Sequence, residues 1–269
     1  MICIFDIESI PDVELLRQIY GYSGDCLDVC NQAFMDQKDK SGHSFLPLSF
    51  HRIISIASVI ADDYGRFIKV GHFAANASIE DREEILLQEF SSFINKKSPR
   101  LVSFNGRGFD MPLIALRALK YNINLSGYYE VDNQNAGKNK WENYRQRYSE
   151  RFHLDLFDVL GNYGATRSID LDSVCKMAGI MGKYDIHGEQ VFELIFKENN
   201  IAKVDFYCQS DVLNTYWLFL KFELTKGMIQ LNHYLENLAL MRDNIVGNAP
   251  YANTFIACID KEINRYIKD

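Results

Sequence analysis

The sequence predicts an α/β fold that opens with an antiparallel meander. Three observations carry this reading. Ile2–Pro11 is an apolar run closed by a proline, the pattern of a buried strand. Residues 52–61 (RIISIASVIA) and 66–74 (RFIKVGHFA) are two strand-like runs joined by Asp62-Asp63-Tyr64-Gly65, a hairpin signal. Strand and helix patterns then alternate, which marks an α/β unit.

The totals suit this class. A chain of 269 residues fits one large domain, or one domain with sizeable insertions. The 47% hydrophobic content supports a substantial core, and 24% charged residues with few prolines do not describe a disordered chain. No apolar run reaches the length of a membrane span. The N-terminus has no basic start, and acids interrupt its first apolar stretch, so no signal peptide is expected. The six cysteines, Cys3, Cys26, Cys30, Cys175, Cys208 and Cys258, form no CxxC pair. They are expected as reduced thiols packed in a cytoplasmic protein. The net charge of −7 argues against a protein that coats nucleic acid non-specifically. It leaves room for a nuclease, because metal ions and local basic residues can supply the positive field where phosphate sits.

Residues 12–50 read as an irregular insertion after the first strand. A short helix is expected over 13–20. Gly21, Gly24 and the polar run Asp36–Ser44 read as loop. Past the hairpin, Ile79, Ile85, Leu86, Phe90, Phe93 and Ile94 recur at helical spacing, with acids early and Pro99 at the end. Residues 101–104 form a short buried strand and 111–121 an apolar helix of good helix formers. A second insertion, 122–151, interleaves Trp141, Tyr144 and Tyr148 with Arg145 and Arg147. That pattern suits either stacking of a single strand or a partly packed loop. A strand resumes over 152–156, and helices are expected at 171–179, 188–198, 203–224, 228–241 and 251–267.

The chemistry starts in the first strand. Asp6 and Glu8 stand two residues apart, so on a strand they share a face. Two like charges on a mostly buried strand are costly unless something neutralises them. A divalent cation does so, and carboxylate oxygens suit magnesium or manganese. Two later stretches can complete such a site. Asn105-Gly106-Arg107-Gly108-Phe109-Asp110 lies between a short strand and a helix. Tyr207 and Asp211 lie four apart in a long apolar helix, on one face of it. Each motif alone is weak: D-x-E recurs at Asp81–Glu83 and Y-x-x-x-D at Tyr128–Asp132. Setting distinguishes them. The 81–83 copy is expected on the polar face of an acidic helix start, and the 128–132 copy falls in a polar insertion.

Taken in order, D-x-E, N-x-x-x-F-D and Y-x-x-x-D resemble the three exonuclease motifs of the DEDD superfamily, in its tyrosine subgroup. The set is similar to the exonuclease domain of family B DNA polymerases. It more closely resembles the stand-alone predicted 3′–5′ exonucleases related to that domain. Residues 48–58 (LSFHRIISIAS), 153–160 (HLDLFDVL), 171–184 with 188–191, and 207–219 (YCQSDVLNTYWLF) support the likeness. It covers about residues 1–225, so residues 226–269 are expected as a helical extension packed on the same domain. No polymerase domain is expected.

This resemblance implies a ribonuclease-H-like fold: a mixed central sheet, an antiparallel meander plus parallel strands, flanked by helices. It implies two Mg2+ or Mn2+ ions held by Asp6, Glu8, Asp110 and Asp211, and a single-stranded 3′ end as substrate, DNA favoured over RNA. Two such ions can activate a water and stabilise the departing 3′ oxygen. Asp6 is expected to bridge both ions. Glu8 and Asp211 would hold the ion carrying the attacking water, and Asp110 would support the second through water. Tyr207, with a free pKa near 10, is a poor base and is expected to orient the water. Asn105, Phe109 and Ile7 are the implied substrate contacts; a turn-capping Asn and a core Phe are the alternative. Gly106 and Gly108 would let the backbone turn tightly beside the site.

Asp155 and Asp158 are expected as a helix cap or as support for the site. His51 and His153 are expected as structural histidines. Lys183 and His187 sit in a loop that could reach phosphate or simply be solvated. A nucleic-acid-binding module that lost catalysis, and an endonuclease of the same fold, are the competing functions.

Overall fold

The computed structural model describes residues 1–166, 169–184 and 188–267. Strand β1 (Ile2–Pro11) is followed by helices α1 (Val13–Tyr20) and α2 (Cys26–Ser41), then strands β2 (His51–Ala61) and β3 (Phe67–His72). Helix α3 (Arg82–Lys97), strand β4 (Arg100–Ser103) and helix α4 (Asp110–Lys120) come next. The short helix α5 (Ser126–Tyr129) precedes strand β5 (His153–Asp155). Helices α6 (Leu156–Leu160), α7 (Leu171–Met177), α8 (Val191–Phe196), α9 (Ile201–Thr225), α10 (Leu231–Asp243) and α11 (Ala252–Ile267) complete the chain.

The five strands form one sheet in the order β3-β2-β1-β4-β5. The meander is antiparallel, whereas β4 and β5 run parallel to β1. This is the mixed, ribonuclease-H-like sheet that the motifs imply. Pleating sorts β1 into two faces. Cys3, Phe5 and Ile7 pack with Leu86, Phe90, Met111 and Ile114 of α3 and α4. Ile2 and Ile4 pack with Val212, Tyr216 and Trp217 of α9. Asp6 and Glu8 continue this second face, so the alternation that buries β1 also aims both carboxylates toward α9. Helices α10 and α11 add Tyr234, Leu238, Phe255 and Ile259 to the same core.

Two expectations are corrected here. The polar run from Asp36 is helical as far as Ser41, not a loop. Asp25 and Asp28 cap α2 reciprocally, and Gly42, at φ 81°, ends it. Only Val29, Cys30 and Ala33 of α2 are buried, so its apolar periodicity is faint. Glu83 does not lie on a polar face; it is fully buried. Its carboxylate takes two hydrogen bonds from Arg117, one from Tyr121 and one, at 2.7 Å, from the Ile53 amide. Arg117 also reaches Asp12 at 2.7 Å. On the other side of β2, the buried Arg82 guanidinium grips Asp205 of α9 at 2.7 Å. These pairs tie α3, α4 and α9 together and fasten them to β2 and to Asp12, just past the end of β1.

Candidate active site

β4 pairs with β1 only as far as Ile4–Val102. Beyond that point β1 runs past the carboxyl end of its parallel neighbour, where α/β sheets place their ligands. Asp6 and Glu8 project there. A carboxylate oxygen of each and the Cys208 sulphur lie within 4.8 Å of one another. The Cys208 thiol donates to the Asp6 backbone oxygen at 3.4 Å, and burial holds its pKa well above the thiol range, so it remains a neutral filler. Nothing in the sequence had singled it out.

The other acids arrive from helices. Asp110 opens α4 and Asp211 sits mid-way along α9; both are buried. All four carboxyls are held above the carboxylate range, with burial the largest cause. Asp6 is pushed up further by Asp110, Glu8 and Asp211, and Glu8 by Asp211 and Asp110. Asp110 is pushed up to about 7 by burial and the Asp155 charge. Burial lifts Asp211 to about 6, against the pull of Lys183 and of the Tyr207 hydroxyl that donates to it. Oδ1 of Asp110 and Oδ1 of Asp211 are buried with no hydrogen-bond partner. Buried polar atoms are nearly always satisfied, so two orphaned oxygens facing a carboxylate cluster fit a cation. The four carboxyls offer hard oxygens, which suit a hard divalent cation, and the Cys208 sulphur beside them stays a protonated thiol.

Tyr207 lies one helical turn before Asp211. Burial and the charges of Glu8, Asp211 and Asp6 raise its phenol pKa still further. Lys183, which the sequence allowed to be a solvated loop residue, is the cation that pulls Asp6, Glu8 and Asp211 down. Its place is fixed from α9. Asn214 clamps Gly182 on both sides, accepting its amide at 3.1 Å and donating to its carbonyl at 2.7 Å. Asp172 accepts the Lys183 amide at 2.7 Å. His187 lies outside the described residues.

The Asn105–Asp110 turn is held by Asp155, which accepts the Asn105 and Arg107 amides at 2.7 and 2.8 Å while capping α6 through Phe157. The strained residue in this turn is Asn105, at φ 68°, and not either glycine. The glycines are there for space: a Cβ on Gly106 would strike Ser103, and one on Gly108 would strike the Asn105 side chain. Asn105 is exposed, Phe109 half-buried and Ile7 buried. Ile7, Glu8, Phe109 and Lys183 line one cleft of about 740 Å³.

Other candidates prove structural. His51 bonds Ser9 Oγ and the Leu46 carbonyl, each at 3.1 Å, and His153 bonds Ser103 at 2.7 Å. Asp158 pairs with Arg147. Tyr144 is buried with its hydroxyl on the Pro99 carbonyl, so it cannot stack on a strand, whereas Trp141 and Tyr148 are exposed.

A mixed sheet with four acids converging at its carboxyl edge defines a ribonuclease-H-like protein with a carboxylate centre. The chain belongs to the family of predicted 3′–5′ exonucleases related to the exonuclease domain of PolB, whose sequence model matches residues 43–259. That match takes in Asp110, Tyr207 and Asp211 and starts after Asp6 and Glu8, which the sheet brings to them. Among solved structures, the chain is similar to the family B DNA polymerase from the hyperthermophilic archaeon Pyrobaculum calidifontis. The identity is 17% and the TM-score 0.47, over 96% of this chain and 27% of the polymerase. No curated protein matches the sequence significantly.

Proposed function

We propose that the protein is a metal-dependent 3′–5′ exonuclease that removes terminal nucleotides from single-stranded nucleic acid, DNA in preference to RNA. The observation that carries this reading is the set of four mutually repelling carboxyls, Asp6 half-buried and Glu8, Asp110 and Asp211 buried, with two orphaned oxygens. Asp6, Glu8, Asp110 and Asp211 would hold two Mg2+ or Mn2+ ions. When bound, such ions supply an activated water and neutralise charge on the departing oxygen.

The remaining work falls to this chain's own groups. Water attacks the terminal phosphorus, the bond from phosphorus to the 3′ oxygen breaks, and that oxygen takes up a proton. Tyr207 keeps its proton throughout the physiological range, so it acts as a donor that orients the attacking water and not as a base. Lys183 offers a positive charge to the phosphate. Phe109 and Ile7 would seat the terminal nucleotide in the cleft, and the exposed Asn105, on the turn beside it, would hydrogen-bond that nucleotide from outside the lining. The six cysteines are free thiols, in keeping with a reducing cytoplasm. Among the described residues, no helix is long and apolar enough to cross a membrane.

The test is degradation of 3′- and 5′-labelled DNA and RNA strands with magnesium, manganese or chelator, beside a circular strand. Stepwise loss from the 3′ end, dependent on metal and absent on the circle, is expected. Asp6→Asn should abolish it, and Tyr207→Phe should slow it about 10- to 100-fold. Strand binding with no metal-dependent loss would point instead to a binding module, and cutting of the circle to an endonuclease.

A further inference from the structure

The cleft beside Glu8 has a wall that the exonuclease motifs do not supply. Residues 12–50 fold as α1 and α2 over a small core of their own, built from Val13, Leu16, Val29, Cys30, Leu46 and Phe50. This layer leans on α8, where the Phe34 and Phe192 rings meet edge-on at 5.2 Å. The segment leaving it then sets Phe45 at the cleft mouth. The Phe45 ring lies 5.0 Å from the His51 ring and 5.6 Å from Phe109, and His51 lies 5.4 Å from Phe109. Phe45 is nonetheless 57% exposed. A large apolar ring backed by two others, exposed in the same cleft that Glu8 lines, is a platform for another flat ring.

The lining also says what such a ring would be. Five aromatic side chains, Phe34, Phe45, His51, Phe109 and Phe192, surround a space that Lys183 and Glu8 edge. A base fits the aromatic part, and its phosphate fits the lysine. No Asn, Gln or Arg side chain is among the described lining residues. Those side chains read bases by paired hydrogen bonds. Lysine and the acids can as well, but here Lys183 and Glu8 stand with the carboxylate cluster, where the phosphate is placed, and not among the rings that would flank the base. Stacking, by contrast, tolerates every base, because each has a π-face.

We infer that the α1–α2 layer builds a base-stacking shelf, with Phe45 as its platform, that requires a base on the terminal nucleotide without reading which base it is. The inference rests on the nuclease reading for its ligand, a nucleic-acid end, but its test does not depend on cleavage.

The measurement is equilibrium binding of short 5′-labelled DNA strands that end in each of the four bases or in an abasic sugar. The Asp6→Asn protein with magnesium serves as host, since that change removes a charge facing the phosphate along with the expected cleavage. The four natural ends should bind within about threefold of one another, and the abasic end about tenfold more weakly, the loss of one base–aromatic stack. Adding Phe45→Ala should bring the natural ends down to the abasic level. Adding Phe45→Trp in its place should restore the gap. Because Phe45 is exposed, its replacement should leave Tm unchanged, so weakened binding cannot be blamed on misfolding. An equal affinity for natural and abasic ends, or a gap that survives Phe45→Ala, overturns the shelf. Failure of the Asp6-intact protein to shorten any strand would instead overturn the nuclease reading and leave the binding comparison standing.

Discussion

Asp110→Asn should make the protein more stable when divalent metal is withheld. Burial and the Asp155 charge push the Asp110 carboxyl from 3.8 to about 7. A carboxyl that holds its proton more tightly folded than unfolded stabilises the fold most below its unfolded pKa. That contribution fades as the pH rises through the folded value. For Asp110 the window runs from pH 3.8 to about 7, and the stability lost across it is about 4 kcal/mol. Asp211, lifted from 3.8 to about 6, loses stability in the same direction over the lower part of that window. At about 2 °C per kcal/mol for a chain of this size, the Asp110 share alone lowers Tm by roughly 8 °C. Bound cations would relieve the repulsion, so magnesium or manganese should raise Tm more at pH 8 than at pH 5. Asn at position 110 cannot ionise. The variant's Tm in chelator should fall less steeply with pH than the wild type's, since Asp6, Glu8 and Asp211 still titrate, and should exceed it at pH 8, while its rise on adding metal should shrink. Melting curves at pH 5 to 8, with chelator and with manganese, make the comparison. A wild-type Tm in chelator that does not fall with pH, with the variant no more stable at pH 8, would refute the account of the carboxylate cluster.

Other outcomes follow from neighbouring groups. Lys183→Met removes a cation that eases deprotonation of Asp6, Glu8 and Asp211. The acid limb of the kcat/KM profile should therefore move to higher pH, and an unmoved limb would separate Lys183 from the site. Asp155→Ala frees the Asn105 and Arg107 amides and lets Asp110 drift. A misplacement of about 1 Å can cost about 100-fold in rate, so kcat should fall on that order while Trp217, buried in the core, keeps its native fluorescence. Glu83→Gln breaks the buried contacts to Arg117 and should cost about 3–5 kcal/mol of stability. Below its lowered Tm that variant should retain its activity; lost activity there would give Glu83 a part in the site.

The acids were legible because they are out of place. Asp6 and Glu8 interrupt an apolar strand, and Asp211 interrupts an apolar helix, so each demands a partner that its neighbours in sequence do not provide. What escaped was whatever depended on distant partners. Glu83 looks like an ordinary charge in a helix's first turn until Arg117 folds against it. Asp155 looks like a helix cap, and is one, but its grip on the Asn105 turn depends on amides about 50 residues away. Lys183 lies in a polar stretch indistinguishable from a solvated loop until Asn214 fixes that stretch to α9. Helix α2 was hidden because only three of its residues are buried and its polar residues dilute the helical period.

One consequence lies in the way the chain leaves and re-enters the sheet. Pro11 and His51 are register partners at the end of the β1–β2 pair. Everything from residue 12 to residue 50 is therefore spliced between two points that adjoining strands hold about 5 Å apart. A tight turn could bridge the same gap without disturbing the register on either side. The layer is thus an exchangeable cassette: it can be lengthened, shortened or swapped among descendants while the acids stay where the sheet puts them. Asp12, which holds the buried Arg117, is the exception: its loss would be felt in the body of the domain.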